Sequence, residues 1–169
     1  MGHSCGDHVI YSNYGVCQVA ESTTRPDPRN PAAEVTYYTL MPLNERLGKV
    51  LIPKAKLDTL RPALTKDEAL DLIDRVETIS VDEFMDKSHK SIEDHFRQLL
   101  RSGSIEDLVC VVKSMHSRLD KQSELGKNPS SSYLRLQKEA RSRFHAELAY
   151  ALDIDEGDVE DFIVSRING

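Results

Sequence analysis

Three groups of residues in this 169-residue chain have types and spacings that invite chemistry. Basic side chains recur at helical intervals: Lys90, Arg97 and Arg101 in one stretch, Arg135, Lys138 and Arg141 in another. At about 100° per residue each set falls on one side of a helix. There Lys and Arg can neutralise phosphates by displacing counterions. The ordinary alternative for such rows is a solvated helix face. A second group, His3, Cys5, His8 and Cys17, has zinc-ligand types but matches no zinc spacing. The third, "DIDEGDVE" from Asp153 to Glu160, has the acidity of a calcium loop. An EF-hand needs Gly at its sixth place and Glu at its twelfth, and these places hold Asp158 and Val164. The stretch therefore reads as an acidic helix start, favoured by the helix macrodipole.

Enzyme signatures are missing from the sequence. No Gly-x-Ser-x-Gly elbow, phosphate loop or dinucleotide fingerprint occurs, and the six His have no partner pattern. The expectation is a protein without catalytic activity, cofactor or metal. His95, His116 and His145 fall in helical stretches as surface or half-buried residues. Charge is uneven: residues 1–63 are nearly neutral, Lys87 to Arg143 carry a balance of +5, and Phe144 to the end carry −6. A basic middle and an acidic tail thus hide within a net charge of −6. Three cysteines without metal spacing fit a reducing cytosol. No signal-peptide pattern and no run of the ~18 apolar residues a membrane span needs are visible.

The elements that must position these residues change character near residue 63. Before it, "GDHVIY", "GVCQVAEST", "EVTYYTLMP" and "GKVLIP" read as short strands between Pro, Asn and Gly punctuation. "SNYG" puts Asn13 and Gly15 where a tight turn wants positive φ. "RPDPRNPAA", residues 25–33, holds three prolines and reads as an exposed hairpin loop. Four or five short strands in about sixty residues suit a small, strongly bent barrel or roll. After Leu64 the pattern is helical. Thr65 and Glu68 make a capping box, Ser104 and Ser130 can cap later helices, and Gly103 and Gly126 can close them. Ile92, Phe96 and Leu99 should face a core, as should Tyr133, Leu136, Ala140, Phe144 and Leu148. The last segment, "EGDVEDFIVSRI", adds a short helix.

Taken in order, "GDHVIYSNYGVCQV", "YYTL" and "GKVLIP" resemble the CarD/CdnL/TRCF family of bacterial RNA-polymerase-interacting domains. Gly6, Asp7, Val9, Tyr11, Gly15, Val19, Tyr38, Leu40, Val50, Ile52 and Pro53 carry that likeness. "FRQLLRSGSIEDLVCVVKSM" and "KEARSRFHAELAYALDI" are similar to the family's helical domain. The resemblance implies an α+β protein: a Tudor-like small β-barrel or roll over residues 1–63 and an all-α domain over residues 64–169. It implies docking on the β subunit of RNA polymerase through a strand edge, a form of β-augmentation. Arg25, Lys49, Val50 and Leu51 fall at the docking positions, with Leu51 where some members have an arginine.

For the helical domain the resemblance implies contact with promoter DNA at the edge of the melted bubble. Members that stabilise open complexes use a tryptophan there as a minor-groove wedge. This chain has no tryptophan, and the matching place falls at Met85 to His89. Met85 is then the apolar wedge, His89 a further DNA contact at the same place, and Lys87, Lys90, Arg97, Lys138 and Arg141 lie on phosphates. The alternative for Met85 is core in a helix–helix corner. The family reading is thus a cytoplasmic, monomeric transcription regulator with no membrane contact. Its rival is a Tudor-like interaction module that binds polymerase or another protein without touching DNA.

Overall fold

The computed structural model describes residues 2–11, 14–102 and 104–169 and divides into two units, Met1–Ala63 and Leu64–Gly169. The turn position Asn13 and the helix-closing position Gly103 lie outside the described residues. In the first unit β1 (His8–Tyr11), β2 (Gly15–Asp27), β3 (Asn30–Pro42) and β4 (Val50–Pro53) form one antiparallel sheet in the order β1-β2-β3-β4. The one-turn helix α1 (Lys54–Leu57) follows. Alternation drives the burial: Val9, Cys17, Val19, Leu40 and Ile52 point to one face and close a core with Leu57 of α1.

Two expectations change here. Among the described residues the sheet is open rather than closed into a barrel, because β1 and β4 do not pair. The outer edge of β1 instead takes up the returning chain: the Ile10 amide donates to Arg61 O (2.9 Å) and the Ala63 amide to His8 O (3.0 Å). The proline-rich stretch, moreover, is not a loop. β2 and β3 stay paired through Arg25–Val35 and Pro26–Glu34, and only Pro28 and Arg29 make the turn. Proline lacks the N–H that a hydrogen-bonded ladder pair requires, so Pro26–Glu34 is a non-hydrogen-bonded pair with its nitrogen facing outward. β1 covers β2 only over Gly15–Gln18, and β4 covers β3 only over Tyr37–Leu40. The distal β2–β3 hairpin is therefore a two-stranded ribbon, where an outward proline breaks no bond.

The second unit is helical: α2 (Lys66–Arg75), α3 (His89–Arg101), α4 (Ile105–Glu124), α5 (Ser131–Leu152) and α6 (Val159–Asn168). Its starts follow the sequence. Thr65 and Glu68 form the capping box, and the hydroxyls of Ser88, Ser104 and Ser130 accept the Ser91, Asp107 and Tyr133 amides. Ile92, Phe96, Met115, Leu136, Ala140, Phe144 and Leu148 meet in the core, with Leu100 more deeply buried than Leu99. Gly126, at φ 69°, closes α4 while its amide and that of Lys127 reach Ser123 O and Gln122 O. α5 ends the same way, but on Asp153 at φ 56°, a residue with a Cβ in the left-handed region. No helix among the described residues is long and apolar enough to cross a membrane.

Candidate docking edge and nucleic-acid face

The edge in the first unit is defined by backbone geometry. β4 pairs with β3 as Leu40–Val50, Thr39–Leu51, Tyr38–Ile52 and Tyr37–Pro53. Pro53 has no N–H, so Tyr37–Pro53 is a non-hydrogen-bonded pair, and by alternation Thr39–Leu51 is one too. Val50 and Ile52 therefore spend their backbone groups on β3. The Leu51 N–H and C=O point away from the sheet, at the outer end of the strand order. Among the described residues no strand pairs with that side of β4, and such an edge is a template for another strand.

The side chains beside that edge are apolar. Leu51 is 43% exposed, and Met41, two residues from Thr39 on the same sheet face, is 41% exposed. Lys49 is exposed just before the strand, and Val50 is half-buried against the small core. Arg25 is exposed but sits out on the ribbon, four residues along β2 from the Glu21–Thr39 pair, about 13 Å at ~3.3 Å per residue. The structure thus gathers Lys49, Val50 and Leu51 at one edge and leaves Arg25 apart from them. Of the zinc-type residues, the His3 ring meets Leu60 O at 2.7 Å. Cys17 lies in the core, where burial pushes its thiol up to about 11.

In the helical unit the basic residues sort into two classes. Met85, Lys87, His89 and Lys90 are exposed on the irregular connection into α3 and on its first turn. Met85 is 69% exposed, so it does not fill a helix–helix corner as a core residue would. Arg97 is engaged: it donates to Glu139 of α5 (2.9 Å) and Glu93 (3.4 Å). Glu139 raises its pKa most, although burial opposes that shift. Arg143 shares Glu139 at 2.6 Å and Arg135 approaches Glu93 at 3.7 Å, which makes an ion-pair network between α3 and α5. Arg141 is bound to Glu160 of α6 at 2.6 Å. Lys138 is exposed beside it, along an open groove that His145, Glu156 and Glu160 also line. Burial, and next the Arg141 charge, holds His145 below the usual histidine range.

Several residues that build the exposed segment carried no signal in the sequence. Lys113 of α4 donates to the carbonyls of Val76, Glu77 and Ile79, at the end of the preceding turn. The Asp82 amide donates to Ser114 Oγ (2.8 Å), and the Asp82 carboxylate accepts from Phe84 N (2.8 Å) and meets His95 Nε2 at 2.7 Å. Burial raises the Asp82 pKa, but these bonds and the Arg118 charge outweigh it and hold it low. Phe84 stacks on His95 with centroids 4.1 Å apart. A lone Arg118 or Ser114 in a helix has no motif; only the partnership reveals it.

Compared with known protein families, residues 4–64 match the model described as the CarD-like/TRCF RID domain. No curated protein matches the chain.

Proposed function

On the premise that its N-terminal unit belongs to the CarD-like/TRCF RID family, we propose that this chain is a non-catalytic, cytoplasmic transcription accessory factor acting as a monomer. It docks on the β subunit of RNA polymerase through the edge of β4 and holds its helical unit against promoter DNA. The observation that carries the reading is the outward backbone of Leu51 on an open edge strand of a domain of that family. Backbone bonds supply affinity in such an addition, and Lys49, Leu51 and Met41 supply selectivity.

The DNA half rests on the segment from Met85 to Lys90. The first turn of α3 carries His89 and Lys90 with no acidic residue. That placement opposes the helix macrodipole, which makes it costly for the helix and suited to an anion. Lys87 and Lys90 are the phosphate contacts, and Met85 is the apolar wedge between bases. Lys138 is a further candidate, whereas Arg97 and Arg141 already hold carboxylates.

That partnering favours a second reading, in which the helical unit regulates polymerase without touching DNA. Capture of RNA polymerase by the immobilised chain, followed by footprinting on a promoter, separates the two. Capture with an altered footprint supports the first reading, capture with an unchanged footprint the second, and no capture overturns both.

A further inference from the structure

We infer that Arg118 is the positioning residue that fixes the Phe84–Met85 tip, so that Met85 is presented to its partner from a held backbone rather than a loose loop. The inference deepens the DNA reading above and rests on it only for its functional consequence.

The connection from Ile79 to Ser88 has no regular structure, so its polar backbone needs partners from elsewhere. α4 supplies them. One nitrogen of the Arg118 guanidinium, Nη2, donates to the carbonyls of Asp82 (3.1 Å) and Phe84. The other, Nη1, lies 3.1 Å from the Tyr133 hydroxyl and 3.4 Å from the Met85 sulfur. The guanidinium carbon sits 4.8 Å from the centre of the Phe96 ring and 5.6 Å from that of Tyr133. One planar group thus ties two carbonyls of the irregular backbone to two buried or half-buried rings.

The other contacts of the tip run through Asp82 and His95. Met85 is mostly in solvent, and Phe84 rests on the His95 ring, itself kept in place by Asp82. Asp82 in turn depends on Ser114 and on the carbonyl contact from Arg118. Lysine cannot replace arginine in full: an ammonium can donate to carbonyls, as Lys113 does to three, but it lacks the plane that lies over the Phe96 and Tyr133 rings while a second nitrogen reaches the Tyr133 hydroxyl and the Met85 sulfur. A contact residue on a disordered loop loses affinity to the entropy of ordering it; a pre-fixed tip does not.

The chain has no tryptophan, so Met85→Trp installs a single fluorescent reporter at the tip of the full-length protein. Adding Arg118→Lys should lower the anisotropy of that reporter and raise its acrylamide quenching about twofold or more, with helical circular dichroism retained. Unchanged anisotropy and quenching would overturn the inference. Should Arg118→Lys lose its helical signal, Arg118→Gln, which withdraws the guanidinium without leaving an unpaired charge in its place, carries the same test with the same two outcomes. Open-complex lifetime on a promoter then separates this inference from the DNA reading. If Arg118→Lys and Met85→Ala each shorten the lifetime and the double variant is no worse than either, the two residues act as one unit. Additive losses count against positioning. A mobile reporter with a lifetime indifferent to Met85 upholds Arg118 as the positioning residue and sinks the DNA contact alone.

Discussion

The two units expose binding chemistry of different kinds. The β4 edge of the first offers backbone groups, which are present whatever side chains surround them. The helical unit offers charged side chains, and these are available only if no carboxylate has already taken them. Arg97 and Arg141 resemble Lys87 and Lys90 in sequence, yet the first pair is spent on Glu139, Glu93 and Glu160. A basic row is therefore weaker grounds for a phosphate site than an open strand edge is for strand addition.

The sharpest contrast is within β4. Val50→Pro removes a donor that the ladder to Leu40 uses and leaves its acceptor unpaired, so the first unit should lose about 1–3 kcal/mol of stability. Leu51→Pro removes a donor that faces away from the sheet and should cost markedly less. Urea denaturation of the two variants checks the register. Equal losses would break the assignment of Leu51 to the outward side.

Among the basic residues, Arg97→Gln should cost about 1–2 kcal/mol, because it strips the partly buried Glu139 and Glu93 of a donor. Lys90→Gln, on an exposed first turn, should change stability by less than about 0.5 kcal/mol. The functional order is the reverse: Lys87→Glu with Lys90→Glu should shorten open-complex lifetime, while Arg97→Gln should affect it only through stability. If Arg97→Gln shortened the lifetime without destabilising the fold, the division of basic residues into spent and available would be wrong.

A smaller effect should come from the end of α5. Asp153→Gly places glycine in the left-handed conformation that α4 already closes with Gly126, and should stabilise the chain by about 0.5–1 kcal/mol. Thermal melting reads it directly.

The last effect depends on pH. The folded pKa of His145 is lowered, so below about pH 6.5 the unfolded chain binds a proton that the folded chain resists. Stability should then fall as pH drops through and below that value, and His145→Gln should flatten the slope between pH 7 and pH 5. An unchanged slope would mean that His145 is not the group responsible.

Much of the fold was legible because it rests on local signals. The alternation that buries Val9, Val19, Leu40 and Ile52, the capping box at Thr65 and the serine caps all act within a few residues of themselves. The ribbon is hidden in the sequence because three prolines argue against a ladder only where both sides are bonded; in a two-stranded ribbon one side is open. The left-handed Asp153 was hidden because helix closure is expected at glycine. The site divides in the same way. Lys49 to Leu51 sit together because they are adjacent in sequence. Arg118, Lys113, Ser114 and Asp82 come together across more than thirty residues, a distance that periodicity cannot see.

The docking edge is tested most directly by measuring RNA polymerase binding with the full-length Leu51→Pro protein, its fold checked by denaturation. The outward N–H is lost and a ring occupies the edge, so affinity should fall about tenfold or more, equivalent to ~1.4 kcal/mol. Arg25→Glu, out on the ribbon, should weaken binding less. Wild-type affinity in a folded Leu51→Pro protein would contradict the account, because the partner strand would then have to pair somewhere other than β4.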